Sequence, residues 1–265
     1  MSAPGSAHPQ GPRPSGASPG ARRWVTGRLA AGEPRVRLLC FPQAGGAAGA
    51  FSVWRPHLPD GLELAPVELP GRGTRGAEPL PTDLDTLVAT LVDALATEFT
   101  RPYALFGHSF GGLLAYELAL AAQRHGIAPP RAVLVSGARP PHLPPTAEPV
   151  QERDDAGLLR WLRATGGMPE NLLRHTGYVR SVLAAVRADL TLGTRHRRAE
   201  PAPLDCPLHT FGGSEDPVVS PGELRQWQPY ATSGVRVTLY PGAHFYLYDD
   251  PARLLGDIAA VLTAS

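Results

Sequence analysis

The sequence predicts an α/β fold, with a mostly parallel central sheet flanked by helices. Three observations lead to it. Apolar runs of strand type alternate with longer stretches of helical spacing, the order that builds a parallel sheet with helices on both faces. One such run, Tyr103 to Phe106, leads through Gly107-His108-Ser109-Phe110-Gly111 into a Leu/Ala-rich helical stretch, Gly112 to Gln123. A chain of 265 residues with 43% hydrophobic content can bury a sizeable core, and α/β folds reach this length as a single domain.

Residues 1–22 are Pro, Gly, Ser and Ala with almost nothing to bury. They predict a disordered tail ahead of one domain over 23–265. Trp24-Val25-Thr26 can start an edge strand, and Val36 to Phe41 is a firmer strand running into Pro42-Gln43-Ala44-Gly45-Gly46. Glu63 to Leu69 reads as the next strand, closed by Pro70-Gly71. The helix that follows spans 82–99, with Thr82 or Asp83 as its N-cap and Leu84, Leu87, Val88, Leu91 and Leu95 on one face. After the Tyr103 strand and the helix behind Ser109, Ala132 to Ser136 forms another strand. A parallel crossover needs only a dozen or more residues, yet roughly 70 separate Ser136 from the next strand, Cys206 to Phe211. Most of the surplus, about residues 139–203, reads as an insertion over the C-terminal edge of the sheet. It opens with a Pro-rich run from Pro140 to Pro149, and its helical stretches lie at 154–164 and 178–190. The strand Val235 to Tyr240, a loop holding His244 and a helix from Pro251 to Leu262 complete the chain.

The bulk numbers exclude several classes of function. A net charge of +1 speaks against nucleic acid or an anionic membrane as the main partner. No apolar run approaches the ~20 residues that span a bilayer, and no apolar signal core stands at the N-terminus, so a cytoplasmic protein is expected. The two cysteines, Cys40 and Cys206, read as small buried residues rather than a disulfide. Scattered histidines and two cysteines make no metal ligand set, and no cofactor is expected.

Gly107-His108-Ser109-Phe110-Gly111 fits Gly-x-Ser-x-Gly, in which a sharp strand-to-helix turn holds a serine hydroxyl up at the bend. Gly16-Ala17-Ser18-Pro19-Gly20 fits the same pattern, but no strand precedes it and no helix follows. A serine needs an adjacent base, itself oriented by a third group, to become a nucleophile at neutral pH. In α/β-hydrolases the partners follow the serine in the order acid, then histidine. Gly212-Gly213-Ser214-Glu215-Asp216-Pro217 supplies the acid after a later strand, as Asp216 or its neighbour Glu215. Pro241-Gly242-Ala243-His244 supplies the histidine after the last strand. His108 stands beside the nucleophile but points away from its hydroxyl, and is taken as packing or support. The oxyanion of a tetrahedral intermediate calls for backbone N–H donors. Phe110 offers one, and the Gly-rich loop after the Val36 strand offers the other, from Ala44 or else Gln43.

Phe41-Pro42-Gln43-Ala44-Gly45-Gly46, Leu69-Pro70-Gly71-Arg72, the Ser109 motif, Gly212 to Pro217 and Gly242-Ala243-His244-Phe245-Tyr246-Leu247 occur in this order. Together they resemble the free-standing type II thioesterases that accompany polyketide and non-ribosomal peptide synthases. The resemblance covers about Trp24 to Leu262. It implies an α/β-hydrolase fold with a helical lid and hydrolysis of aberrant or stalled acyl groups from the phosphopantetheine arm of an acyl carrier protein. It further implies Ser109 as nucleophile, His244 as base, Asp216 as orienting acid, and Ala44 and Phe110 as oxyanion donors. Gln43 departs from the family's usual histidine, which bears on substrate preference. The alternative on the same fold is a carboxylesterase or lipase acting on small esters.

In the insertion, Leu158, Trp161, Leu162, Leu183 and Val186, with Leu159, Leu172, Leu173 and Val182, either line an acyl chamber or form the insertion's own small core. The run Arg195-His196-Arg197-Arg198, with Arg174, Arg180 and Arg187, is either a solvated charge cluster or a contact for the acidic face of a carrier protein.

Overall fold

The computed structural model describes residues 24–144, 149–168 and 170–263, so the predicted N-terminal tail lies outside the described residues. Seven strands form one sheet: β1 (Leu29–Ala30), β2 (Val36–Phe41), β3 (Leu62–Pro66), β4 (Tyr103–His108), β5 (Val133–Ser136), β6 (Leu208–Gly213) and β7 (Val235–Tyr240). Their order is β1-β3-β2-β4-β5-β6-β7, parallel throughout except that β1 runs antiparallel to β3. The edge strand lies a few residues beyond the expected Trp24–Thr26, of which Val25 makes only an isolated antiparallel bridge to Val67.

The chain leaves β2 for β3 on one side and returns to β4 on the other, so a topological switch point falls between β2 and β4. In open α/β sheets, ligands bind outside the carboxyl ends of the strands at such a point. The register brings those ends level, pairing Phe41 with Gly107, His108 with Ser136, Ser136 with Phe211 and Gly213 with Tyr240. The loops that carry Gln43, Ser109, Asp216 and His244 therefore all emerge at one edge.

Helix α1 (Leu84–Ala94) is capped by Asp83, whose carboxylate accepts from the Thr86 N–H at 2.8 Å. It buries Leu84, Leu87, Val88 and Leu91, and the following Leu95 is buried too. It stops short of the expected end near Phe99. The chain tightens there into i→i+3 bonds such as Glu98 N–H to Leu95 C=O, and the Glu98 carboxylate is held by Arg28 at 2.5 Å and Arg37 at 2.6 Å. Helix α2 (Phe110–Arg124) is buried on every side from Phe110 to Leu120, as befits the helix packed at the centre of the domain. Helices α3 (Asp155–Thr165) and α4 (Thr176–Arg195) stand between β5 and β6. A short α5 (Pro221–Arg225) follows β6, and α6 (Pro251–Thr263) closes the chain.

Two apolar clusters sandwich the sheet. One packs α1, α2, Trp227 and Tyr230 against one face, and the other packs Phe51, Trp54 and α6 against the opposite face, where Phe106 of β4 points. The second contains an element with no 3.6-residue apolar repeat to announce it, a 3-10 segment from Ala48 to His57 that includes Pro56. Trp54 anchors it, fully buried, edge-on to Phe51 and Phe106 with ring centroids 5.1 Å away in each case, and donating through Nε1 to the Leu247 carbonyl at 3.2 Å. Trp54→Ala is expected to cost about 3–5 kcal/mol. Urea unfolding monitored by circular dichroism measures it, and a loss below about 1 kcal/mol would show that this segment contributes little to the core.

Candidate functional site

The bend between β4 and α2 places the serine. Ser109 has φ 55° and ψ −119°, and among the described residues it alone has a positive φ without being glycine. Such a conformation costs on the order of 1–3 kcal/mol and persists only where its surroundings over-determine it. The surroundings here are tight. The Ser109 N–H donates to the Ser136 carbonyl at 2.7 Å. A Cβ on Gly107 would meet the Gly111 carbonyl oxygen at 1.9 Å, and one on Gly111 would meet the Phe41 and Pro42 carbonyl oxygens at 2.2 and 2.5 Å. The start of α2 is thus pressed against the loop after β2, with Ser109 half-buried at its tip.

The loops after β6 and β7 are stapled to each other. Ser214 N–H donates to Tyr240 C=O at 2.8 Å and Glu215 N–H to Gly242 C=O at 3.0 Å. A Cβ on Gly213 would lie 2.3 Å from the Ala243 carbonyl oxygen. This register puts Asp216 under His244, whose Nδ1 donates to Asp216 Oδ2 at 2.8 Å with both side chains buried. The other carboxylate oxygen, Oδ1, accepts from the backbone N–H groups of Val218 and Val219 at 2.7 and 3.1 Å. Glu215 points to solvent, so Asp216 is the acid that meets the histidine. Gly137 lies beside this pair. It follows Ser136, the acceptor of the Ser109 N–H, and a Cβ on it would lie 3.2 Å from His244 Cε1. A carboxylate that receives Nδ1–H leaves Nε2 as the basic nitrogen of the ring, the tautomer a general base needs.

A second histidine supports the first. His108 is fully buried, with its ring centroid 4.8 Å from that of His244. Its Nδ1 lies 2.9 Å from Ser136 Oγ, which lies 2.6 Å from the Tyr246 hydroxyl. Burial, and then the neighbouring His244, push the His108 imidazole well below its ordinary pKa and keep it neutral. His108 is thus packed against His244, one of the two readings, packing or support, that the sequence left for it. Ser136 and Tyr246 were not singled out, since a strand-end serine and one tyrosine in an aromatic-rich loop look like ordinary packing.

The loop after β2 forms a turn in which Gly46 N–H donates to Gln43 C=O at 2.8 Å and Gly45 takes φ +71°. Ala44 is half-buried at the turn's apex, and the Gln43 Oε1 accepts from the Tyr248 hydroxyl at 3.4 Å. Burial pushes the Tyr248 phenol up to about 12, so it stays a neutral donor. The Gly45 N–H donates to Asp189 of α4 at 2.8 Å, and Asp189 also pairs with Arg72. Neither Arg72 nor Asp189 stood out as a functional residue in the sequence, one being part of a motif without an assigned role and the other a single acid on a helix.

Most of the apolar residues of the segment between β5 and β6 go into its own core. Leu158, Leu162, Leu183 and Val186 cluster with Met168, and Leu159, Trp161, Leu172, Leu173 and Val182 pack partly buried against them. Val186 also reaches the site, since a Cβ on Gly45 would meet its Cγ2 at 2.3 Å. The basic run divides as well. His196 and Arg198 are tied to Glu117 inside the fold, His196 Nε2 at 2.8 Å and Arg198 Nε at 2.7 Å from Glu117 Oε1. Burial would raise the Glu117 carboxyl, but the bonds from Arg198 and His196 prevail and hold it below the usual carboxylate range. Arg187 is engaged by Asp155 at 2.8 Å and by the Arg153 carbonyl at 2.7 Å. Arg174, Arg180, Arg195 and Arg197 are exposed. Among the described residues, no group of three or more His, Cys, Asp and Glu is placed to hold a metal ion, and no helix is long and apolar enough to cross a membrane.

Residues 36–262 match the thioesterase domain family. The chain is 33% identical over 243 residues to the linear gramicidin dehydrogenase LgrE of Brevibacillus parabrevis, covering 91% of this chain and 92% of that protein. RedJ, a thioesterase from the prodiginine biosynthetic pathway in Streptomyces coelicolor, is similar in structure with a TM-score of 0.81 at 36% identity, covering 95% of this chain and 97% of RedJ. BorB, the type II thioesterase from the borrelidin biosynthetic cluster, gives a TM-score of 0.81 at 34% identity, covering 91% of this chain and 98% of BorB. The chain belongs to the thioesterase domain family, with the α/β-hydrolase fold, and is a hydrolase acting on thioesters.

Proposed function

We propose that this thioester hydrolase is an editing, type II enzyme, clearing acyl groups from the phosphopantetheine arm of acyl or peptidyl carrier proteins in polyketide or non-ribosomal peptide biosynthesis. The observation that carries the reading is the His244–Asp216 pair at 2.8 Å, in a loop that leaves the same edge of the sheet as the strained Ser109 bend. Kinship with BorB and RedJ, each covered over nearly its whole length, supports the biosynthetic setting.

In this scheme Ser109 Oγ attacks the thioester carbonyl while His244 Nε2 takes its proton. Asp216 holds the ring in that tautomer and stabilises the imidazolium that forms. The oxyanion is received by the N–H groups of Ala44 and Phe110, a reading supported by the close approach of Gly111 to Phe41 and Pro42. The C–S bond breaks, and the thiol leaves with the proton from His244. Water, deprotonated by the same imidazole, then hydrolyses the acyl-enzyme and frees Ser109. A thiol of pKa ~8.5 is a good leaving group, so the second half of the cycle has the harder bond to break. Helices α3 and α4 act as the lid over this edge. Its small core leaves Val186, seated against Gly45, as the lid residue best placed to touch an acyl chain.

The test is hydrolysis of a panel of acyl-carrier proteins, from acetyl to long chains, alongside acyl-pantetheine thioesters and p-nitrophenyl esters. The expected outcome is that carrier-bound thioesters are cleaved with kcat/KM at least about 10-fold above small esters, the added contacts supplying some 1.4 kcal/mol or more. Equal or better turnover of p-nitrophenyl esters would identify a general carboxylesterase instead.

A further inference from the structure

We propose that Asp189 is a positioning residue that holds the oxyanion loop in its working geometry, and that Arg72 and α4 together make this support part of the lid. The inference rests on the reading of Ala44 as an oxyanion donor.

Asp189 sits on the inner face of α4 and is fully buried. Its two oxygens meet the Arg72 guanidinium as a fork, Oδ1 receiving Nη2–H at 2.9 Å and Oδ2 receiving Nη1–H. Oδ2 also accepts the Gly45 N–H at 2.8 Å. Arg72 is itself nearly buried and is anchored through Nε–H to the Pro70 carbonyl at 3.3 Å. This gives a role to the Leu69-Pro70-Gly71-Arg72 motif, which the proposed triad leaves unused. Three separate pieces of chain therefore converge on one carboxylate: the loop after β3, the loop after β2, and the lid helix.

The consequence for the loop follows from the turn. Gln43 and Gly46 close it, with Gly45 at positive φ in its third position, which is type II geometry. In such a turn the second and third residues keep their N–H groups outside the closing bond. Asp189 takes the Gly45 N–H, and the Ala44 N–H donates to no described residue. The Ala44 N–H shares its peptide plane with the Gln43 carbonyl, which the Gly46 N–H holds at 2.8 Å, and Asp189 fixes the next plane through the Gly45 N–H, so Ala44 is aimed between two anchored peptides. Gly45 must be glycine on two counts, its φ of +71° and the Val186 side chain 2.3 Å from where a Cβ would stand. The same contacts tie the turn to α4 by packing and by hydrogen bond, so the Ala44 donor is aimed only while the lid helix is seated.

A buried ion pair with a purely structural role would behave differently, and a double variant separates the two. Replacing both partners of such a pair by apolar residues of similar volume is often neutral for stability. Arg72→Met with Asp189→Leu therefore keeps the packing and removes the acceptor for Gly45. Positioning predicts that this double variant still unfolds in one cooperative transition, its midpoint lowered only by the one unpaired Gly45 N–H, yet has a kcat about 10- to 100-fold lower with KM changed by less than about 3-fold, the signature of a misplaced reacting group. It also predicts that affinity for an alkyl boronic acid, which puts an anionic oxygen in the hole once bound to Ser109, falls by a similar factor. Asp189→Asn, which keeps one acceptor for Gly45 but leaves Arg72 uncompensated, is expected to lose more stability and less kcat than the double variant. Wild-type kcat and boronate affinity in the double variant would overturn the proposal. Assays on acyl-pantetheine keep this separate from the carrier-protein reading, since a wild-type enzyme inactive on every thioester would refute that reading whatever the variants do.

Discussion

Ser109→Ala is expected to lower kcat/KM toward an acyl thioester by about 10⁴- to 10⁶-fold while leaving the fold in place, since losing the nucleophile of a serine triad removes the whole covalent route. The side chain is half-buried at the tip of a bend fixed by backbone contacts, so the alanine keeps every packing interaction that matters. Ser109→Gly supplies a second reading of the same position. Ser109 holds φ 55° and ψ −119°, where glycine is at ease, and relief of that strain should raise stability by about 1–3 kcal/mol as activity disappears. Urea midpoints for the three proteins, with a fluorophosphonate label to report the serine, measure both effects. Ser109→Ala retaining wild-type rates would refute the scheme. A glycine variant no more stable than wild type would show that the bend stores no strain.

The parts of this molecule legible in its sequence are those whose signal is local or ordered along the chain. The bend at Ser109 announces itself because glycines must flank it, and the structure shows why: a Cβ at Gly107 or Gly111 would collide with backbone carbonyls. Asp216 and His244 are legible as candidates because each follows a strand in a fixed order, and the structure puts those two in contact while Glu215 is exposed. What escapes the sequence is whatever depends on two distant segments meeting. His196 and Arg198 look like part of a solvated basic run until α2 brings a buried Glu117 to them. Asp189 looks like a polar break in an amphipathic helix until Arg72 and Gly45 arrive from two other loops. The Ala48–His57 segment has no helical repeat to read, and its anchor Trp54 gains its meaning from Phe106 and Leu247. Local pattern gave the sheet, the bend and the order of the site, while long-range charge pairing set the support around them.

Asp216→Asn is expected to lower kcat by about 10⁴-fold with little loss of stability, because it reverses the tautomer of His244 rather than displacing it. The geometry fixes the direction. Asp216 Oδ1 accepts two backbone N–H groups, from Val218 and Val219. An asparagine must keep its carbonyl oxygen there, since turning its NH₂ toward two donors would leave three groups without acceptors. Its NH₂ then faces His244 Nδ1, 2.8 Å from the replaced oxygen, and becomes a donor where the wild type has an acceptor. His244 responds by carrying its proton on Nε2, the nitrogen that should receive the Ser109 proton. The base is thereby blocked without moving an atom of the scaffold. Glu215→Gln, on the neighbouring exposed residue, should stay within about 2-fold of wild type, as surface changes usually do. Steady-state kinetics on acyl-pantetheine and thermal melts of both variants decide the matter. If Asp216→Asn kept more than a tenth of wild-type kcat, or if Glu215→Gln were the crippled enzyme, the orienting acid would not be Asp216.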